Sequence, residues 1–259
     1  MIPKKIHYIW LGKNSHPNLM DICINSWKEK LPSYKIEEWN EENLDFDITI
    51  KKNRFLQECY KRKLWAFLSD YFRIKVLYEE GGVYLDTDMQ IIKNIDNLLD
   101  NDFFIGEESE GVISAGIIGV IPKHPLIKKI LDFYEEEIWN EPIFTIPDII
   151  TKVINREYSL KKSGENIKIA DRMIIYPSKY FYPYHFTEEF KYECIKSDTY
   201  GIHWWGKSWA QKKDLSKLYF LEFKHYKGIK KVIVETLILT RTMKYVKNSK
   251  ILINLSKKI

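Results

Sequence analysis

Apolar positions in the first ninety residues follow two periods, one typical of strands and one typical of helices. Short apolar runs predict strands at 4–12, 34–40 and 83–89, where side chains alternate between two faces. Apolar residues spaced three and four apart predict helices over 18–30 and 60–80, the second ended by a glycine pair. The order strand, helix, strand, helix, strand predicts an α/β fold with a sheet flanked by helices.

The pattern continues to about residue 205 without internal repeats or a low-complexity linker. It predicts further strands at 102–108, 112–121, 173–183 and 200–205 and a helix over 125–139, which Pro125 opens. We therefore predict one α/β domain over residues 1–210, followed by a separate C-terminal extension over 211–259.

Composition narrows the class of protein. The chain has 259 residues, of which 15% are aromatic and 30% charged, which is typical of a globular protein rather than a disordered one. No apolar run approaches the roughly 18 residues of a membrane-spanning helix. The apolar N-terminal stretch is too short for a secretory signal, and Cys23, Cys59 and Cys194 lack metal-binding spacing. We expect a cytoplasmic protein.

The net charge of +5 is unevenly distributed. Residues 207–259 carry 14 Lys and Arg against 3 Asp and Glu, a net of +11, which leaves −6 for residues 1–206. Within this basic tail, residues 229–246 predict a helix with one apolar face. That helix either packs on the domain with a solvated basic side, or lies on an anionic membrane surface.

Three D-x-D pairs occur, and their contexts differ. Asp45 with Asp47, and Asp100 with Asp102, lie among polar residues in predicted loops, where solvated acidic turns explain them. The pair Asp86 and Asp88 follows a helix, two glycines and an apolar strand. We expect these two carboxylates on the same side of the strand, at the sheet edge where α/β folds bind ligands. Their oxygens suit Mg²⁺ or Mn²⁺; an exposed strand end with two solvated acids is the alternative.

The preceding helix carries Asp70 and Arg73 three residues apart, on the flank of its apolar face. Taken by itself, this pair is best interpreted as a surface ion pair of small energetic consequence. The alternative is a pair that holds a nucleotide, with Arg73 near phosphate and Asp70 near ribose.

Four stretches, "IPKKIHYIWLG", "INSWKEKLPSYKIEEWNEEN", "FLSDYFRIKVLYEEGGVYLDTDM" and "IHWWGKSW", resemble the D-x-D glycosyltransferases of bacterial capsule and cell-surface polysaccharide synthesis. Yeast Golgi mannosyltransferases and the glucosylating clostridial toxins are more distantly similar. The resemblance implies the nucleotide-sugar transferase fold of the GT-A type, with a mixed, mostly parallel sheet flanked by helices. It also implies a nucleotide-sugar donor, a divalent metal, usually Mn²⁺, and retention of anomeric configuration.

The resemblance further implies roles for individual residues. Trp10 would stack on the base, Ser69, Asp70 and Arg73 would contact ribose and sugar, and Tyr84 would support the nucleotide. Asp86 would bind ribose and either metal-bound water or the metal itself, and Asp88 would ligate the metal directly. His203 or Ser208 would complete the metal shell, and Trp209 would lie over the diphosphate. By default Trp10 is a core aromatic, and a lone histidine such as His203 is usually structural. His185, in the aromatic stretch "FYPYHF", is either part of a sugar platform or a packing residue, and we interpret it as packing.

Together these features predict a metal-dependent, retaining glycosyltransferase with Asp86, Asp88 and Arg73 as its catalytic residues. The expected partners are a UDP-sugar donor, a saccharide acceptor that is lipid-linked, and the anionic inner face of the plasma membrane. Two alternatives remain open: a toxin-like effector that glycosylates a protein, and a nucleic-acid-binding protein suggested by the basic, aromatic C-terminus. The acidic body argues against nucleic acid as a partner.

Overall fold

The computed structural model describes residues 1–163, 166–206 and 221–239. Its strands are β1 Lys5–Ile9, β2 Lys35–Trp39, β3 Gly82–Leu85, β4 Met89–Ile91, β5 Phe103–Ser109, β6 Val112–Val120, β7 Lys161–Ser163, β8 Asn166–Ala170, β9 Met173–Tyr176 and β10 Gly201–His203. Its helices are α1 Asn18–Lys30, α2 Phe46–Lys52, α3 Arg54–Lys61, α4 Trp65–Glu80, α5 Pro125–Asp132, α6 Ile146–Glu157 and α7 Gly228–Leu239. A π-helical turn, Phe133–Glu137, continues α5.

Eight of these strands form one sheet in the order β2-β1-β3-β6-β5-β9-β8-β7. β6 and β8 run against the other six, so the sheet is mixed and most of its strands point the same way. β4 and β10 pair with each other as a separate antiparallel ribbon. The predicted mixed, mostly parallel sheet is confirmed, and so is the strand–helix–strand unit that opens it.

Helices cover both faces of the sheet, and the alternation along β3 decides which side chains meet which layer. Val83 and Leu85 face the core on the α1 side, where Trp27 of α1 is fully buried. Tyr84, between them, faces the opposite core, which the apolar sides of α3–α6 complete. Because side chains alternate at every residue of a strand, one short segment contributes to both cores.

The predicted helix over 60–80 is wrong in its first turn, because two helices meet there. Lys63 adopts a left-handed backbone with φ of 56°. Its N–H donates to the Tyr60 carbonyl at 3.0 Å, and the Leu64 N–H donates to the Cys59 carbonyl at 2.9 Å. This pattern ends α3 in a Schellman motif and lets α4 begin in a new direction.

The end of α4 is as predicted. The Gly81 N–H donates to the Leu77 carbonyl at 3.0 Å, and Gly81 has φ of 62°. A Cβ atom at Gly81 would lie 2.6 Å from Pro122, so both the backbone angle and the space favour glycine. The chain then enters β3 directly, which fixes where the following acidic residues lie.

β6 is irregular at the point that faces those acidic residues. Its pairing with β5 jumps from Ile105–Ile118 to Gly106–Ser114. Residues 115–117, between the two pairs, therefore leave the ladder with β5, while Ile117 still pairs with Leu85 of β3. Such bulges turn backbone groups toward new partners. The carbonyls of Ala115 and Gly116 are thereby released toward the end of β3.

The C-terminal extension touches the rest of the protein where the structure describes it. Leu221 is fully buried in the core on the α4 side. The Lys224 ammonium donates to the carbonyl of Ile143 at 2.8 Å and to that of Glu141. Burial lowers the pKa of Lys224 to about 8. The boundary at residue 210 stays a prediction, although residues beyond it pack against the domain.

Candidate metal centre and donor site

Asp86 and Asp88 lie in a tight turn, and the predicted strand through Met89 is wrong. β3 ends at Leu85, and the next strand starts at Met89. The Asp86 N–H donates to the Gly116 carbonyl of the β6 bulge at 2.9 Å, and the Met89 N–H donates to the Asp86 carbonyl at 2.9 Å. The two carboxylates therefore converge because the backbone turns, not because they share a strand face.

His203 joins the two aspartates from the far end of the chain. It ends β10 and pairs with Met89 of β4, which brings it beside the turn. The His203 Nε2 atom lies 3.1 Å from Asp88 Oδ1 and 3.9 Å from Asp86 Oδ2. One ligand atom from each residue falls within 4.8 Å of the others. The structure brings together the two predicted aspartates and the predicted histidine.

Each carboxylate in this cluster is held by further donors. Asp88 Oδ2 accepts the Gly206 N–H at 2.7 Å, and Asp86 Oδ1 accepts the Tyr84 hydroxyl at 3.1 Å. Burial raises the pKa of Asp88, but the His203 ring and the Gly206 N–H lower it by more, so the pKa lies below its ordinary value. Burial lowers the pKa of His203, and Asp88 and Asp86 raise it by more, so the net shift is upward. The site therefore favours a positive charge beside the Asp88 carboxylate.

The donor set fits a hard divalent cation. Adjacent ligands of an octahedral Mg²⁺ or Mn²⁺ with bonds of about 2.1 Å are about 3 Å apart, close to the 3.1 Å between His203 and Asp88. Two carboxylates and one imidazole leave further positions for diphosphate oxygens and water. One feature departs from the usual pattern: the buried Nδ1 atom of His203 has no hydrogen-bond partner among the described residues, whereas metal-binding histidines usually have one there.

Asp70 and Arg73 form a buried pair, so the interpretation as a surface ion pair is wrong. The side chains are 13% and 8% exposed, and Arg73 NH2 lies 2.9 Å from Asp70 Oδ1. The same nitrogen lies 3.1 Å from Asp86 Oδ1, and Arg73 NH1 donates to the Ala115 carbonyl at 2.7 Å. Sequence periodicity missed this burial because the β6 bulge, which α4 faces here, is not visible in the helix pattern.

Tyr84 links the buried pair to the metal cluster. The Arg73 guanidinium lies over its ring, 4.3 Å from the centroid, and its hydroxyl contacts Asp86 and Ser69. Ser69 is half-buried on α4. The predicted donor residues Ser69, Asp70, Arg73 and Tyr84 are therefore contiguous with Asp86.

Gly116 and Tyr182 form the floor of the cluster, and neither was predicted from the sequence. A Cβ atom at Gly116 would lie 2.9 Å from the Tyr182 hydroxyl and 3.3 Å from Asp86 Oδ2. The Tyr182 hydroxyl is buried next to the Ser114 side chain and the Ile117 backbone. Only its place in an aromatic stretch pointed to Tyr182, and that pattern equally describes a core residue.

Three predicted site residues, Trp10, Ser208 and Trp209, have no described contact with the Asp86–Asp88–His203 cluster. Trp10 follows β1 and is half-buried; its indole N–H donates to the Asn14 carbonyl at 2.7 Å, and its ring meets His16 edge-on at 5.5 Å. Ser208 and Trp209 lie outside the described residues. Their predicted contacts with metal and diphosphate stay predictions.

The two other D-x-D pairs have ordinary surroundings. Asp45 is 76% exposed and lies 3.6 Å from Lys75, and Asp102 pairs with Arg172 at 3.1 Å. Asp100 is exposed. Among the residues that the structure describes, the only group of three potential ligands is the one around Asp86.

An Asp–Asp–His cluster at the edge of an α/β sheet, backed by a buried arginine, is an arrangement that can hold a divalent cation and a phosphate group. Residues 17–105 match the family described as "Glycosyltransferase sugar-binding region containing DXD motif". The chain is 27% identical over 229 residues to the uncharacterized glycosyltransferase L373 of Acanthamoeba polyphaga mimivirus, covering 85% of this chain and 88% of that protein.

The human lactosylceramide 4-alpha-galactosyltransferase is 27% identical over 165 residues, 59% of this chain and 45% of that enzyme. This chain thus spans less than half the length of the human relative. Among solved structures, the PaToxG glycosyltransferase covers 60% of this chain and 70% of its own, with 19% identity and a TM-score of 0.49. Residues 17–105 therefore carry a DXD-containing glycosyltransferase region, and the chain is a glycosyltransferase.

Proposed function

We propose that the protein transfers a hexose from a UDP-sugar to a saccharide acceptor, with retention of anomeric configuration, in the synthesis of a cell-surface polysaccharide such as capsule. The observation that carries the proposal is the convergence of Asp86, Asp88 and His203 beside the buried Arg73. Galactose is the first donor sugar to test, because a relative that matches over 165 residues is named a galactosyltransferase.

In the proposed reaction, Asp88, Asp86 and His203 hold Mn²⁺ or Mg²⁺. When bound, this ion stabilises the negative charge that develops on the leaving diphosphate. The protein's own contribution is to fix the ligands in place. Arg73 holds Asp86 at 3.1 Å while the Ala115 carbonyl and Asp70 hold Arg73. Such preorganised charges need no rearrangement when the sugar departs.

Donor hydrolysis with and without Mn²⁺ tests the proposal, with UDP-galactose first and other sugar nucleotides in parallel. Asp88→Asn replaces a half-buried carboxylate that contacts His203, and we expect it to abolish hydrolysis and Mn²⁺ binding while the fold persists. Asp86→Asn is expected to do nearly the same.

Asp45→Asn and Asp100→Asn are matched controls, because they make the same change in the two exposed D-x-D pairs. We expect both to retain wild-type turnover. Loss of turnover in these controls, with full turnover in Asp88→Asn, would show that the metal centre is misassigned. Calorimetric Mn²⁺ binding separates loss of the ion from loss of the fold.

We further propose that the protein acts at the cytoplasmic face of an anionic membrane, where a lipid-linked acceptor would be found. Within the described residues, no helix is both long and apolar enough to cross a bilayer. α7 instead presents Ile229 and Val232, which are 72% and 62% exposed, next to Lys227 and Lys230. Exposed aliphatic groups beside basic ones are typical of helices that lie in a membrane interface.

Sedimentation with phosphatidylserine vesicles at low salt tests this second proposal. Replacing Ile229 and Val232 with Glu is expected to abolish binding, because each change removes apolar contact and adds repulsion from the anionic surface. Ile48→Glu is the control: Ile48 is 59% exposed, but on α2. Equal sedimentation of the α7 variant and the wild type would contradict the proposal.

A further inference from the structure

We propose that Trp205 and Phe186 form a platform on which a pyranose ring of the acceptor stacks, beside the metal centre. This inference rests on the proposed function and adds the place and the chemical class of the acceptor contact. Together with His203, a proposed metal ligand, these two side chains form a row of three aromatic rings. The His203 and Trp205 ring centroids are 4.3 Å apart, and the rings meet edge to face. From Trp205 to Phe186 the centroid distance is 5.8 Å.

The row leads from the interior to the surface. His203 is 8% exposed, Trp205 is half-buried, and Phe186 is 44% exposed. A single exposed phenylalanine is ordinary on a protein surface, but an exposed aromatic that continues a row from a catalytic cleft indicates a ligand groove.

Trp205 has an unusual backbone that serves the metal centre. Its φ is 54°, in the left-handed region that bulky residues rarely adopt. This conformation directs the next N–H, that of Gly206, to Asp88 Oδ2 at 2.7 Å, while the Trp205 indole N–H donates to the Tyr184 carbonyl at 3.2 Å. Strained residues of this kind cluster at functional sites, where the surrounding contacts hold them. In this conformation the Trp205 ring lies beside His203, with the two rings edge to face.

A saccharide suits this surface better than other ligands of similar size. One face of a pyranose carries C–H groups that pack on aromatic rings, and its rim carries hydroxyls. Polar groups border the row: the Thr187 hydroxyl lies 2.7 Å from His185 Nδ1, and Glu188 accepts the His185 N–H at 2.9 Å. An acceptor hydroxyl must also reach the sugar of a donor held at the metal centre, which requires an acceptor site adjacent to His203.

The sequence pattern indicates that His185 is a packing residue, and the structure agrees only in part with that interpretation. His185 and Phe186 do contact each other, with centroids 4.1 Å apart. The same loop carries a second exposed aromatic, Tyr192, which is 80% exposed and contacts Phe190 at 5.3 Å rather than Trp205. Tyr192 therefore offers a control in the same loop that is more exposed than Phe186 but has no place in the row.

The test compares Phe186→Ala, Phe186→Tyr and Tyr192→Ala in the full-length protein with Mn²⁺. The probes are methyl β-lactoside, methyl β-galactoside and methyl β-glucoside, and both their binding, by saturation-transfer difference NMR, and their KM in transfer are measured. We expect Phe186→Ala to raise the acceptor KM about tenfold, the loss typical of a stacking aromatic. Its rate of transfer should fall further than its rate of donor hydrolysis. Phe186→Tyr keeps the ring and should restore the KM.

Several results would overturn the platform. These are an acceptor KM within twofold of wild type in Phe186→Ala, an equal rise in Tyr192→Ala, or no glycoside binding to the wild type by NMR. If the proposed function is wrong, the wild type shows no donor hydrolysis, whatever the NMR measurement of glycoside binding gives. Loss of glycoside binding in Phe186→Ala supports the platform even in that case.

Discussion

Replacement of Arg73 by Met tests the energetic role of the buried charge cluster. The variant keeps a side chain of similar length but leaves Asp70 and Asp86 without their shared cation. Arg73 contributes ion pairs at 2.9 and 3.1 Å, a hydrogen bond to Ala115 at 2.7 Å and a stacked contact with Tyr84. Breaking a buried pair by removing one partner destabilises a protein by about 3–5 kcal/mol.

This magnitude is large enough to measure directly. For a chain of this length, about 1 kcal/mol shifts the melting temperature by roughly 2–4 °C, so Arg73→Met should melt about 10 °C below the wild type. Equilibrium unfolding in urea at pH 8, followed by circular dichroism, gives the free energy of unfolding and the m-value. A constant m-value shows that the two-state comparison holds.

Arg156→Met is the matched control. Arg156 is 42% exposed and pairs with Glu137 at 2.9 Å, so the same substitution should change stability by less than about 1 kcal/mol. The double variant Asp70→Asn/Arg73→Met should be more stable than Arg73→Met, because one uncompensated carboxylate is removed. A loss below about 1 kcal/mol in Arg73→Met, or an equal loss in Arg156→Met, would refute the reasoning.

Three further predictions concern single residues. Burial, opposed by Arg73, raises the pKa of Asp70 to about 7, so one carboxyl ¹³C resonance should titrate near pH 7 and vanish in Asp70→Asn. Between about pH 4 and 7 the folded state keeps a proton that the unfolded state loses. Wild-type stability should therefore fall as pH rises through that window, more steeply than the stability of Asp70→Asn; equal slopes would contradict this. Trp10→Ala should weaken UDP binding by about 1–3 kcal/mol in calorimetry, and unchanged affinity would remove Trp10 from the donor site. Gly119→Ala places a Cβ atom against the ring of Phe104 and should lower the unfolding free energy by about 1–3 kcal/mol, with partial recovery on adding Phe104→Leu; an unchanged urea midpoint would show that the core accommodates the methyl group without cost.

The sequence by itself determined the local elements and singled out Asp86 and Asp88 as the candidate metal ligands. α1 spans 18–30, as its apolar spacing predicts, and Gly81 ends α4 where the glycine pair indicates. The choice among three D-x-D pairs also followed from local context, because only Asp86 and Asp88 come after a buried strand. Periodicity and turn chemistry act over a few residues, so they can be read directly from the chain.

The tertiary structure decided what surrounds those acids. The β6 bulge carries carbonyls to Arg73 and to the Asp86 N–H, which turns an expected surface pair into a buried one. The β4–β10 ribbon sets His203 beside Asp88 across more than a hundred residues, and the left-handed backbone of Trp205 brings the Gly206 N–H to the same carboxylate. Strand register and bulges depend on contacts between segments distant in sequence, and burial of a helix flank depends on what packs against it. No periodicity within one segment encodes either, so the cluster exists only once the sheet has formed.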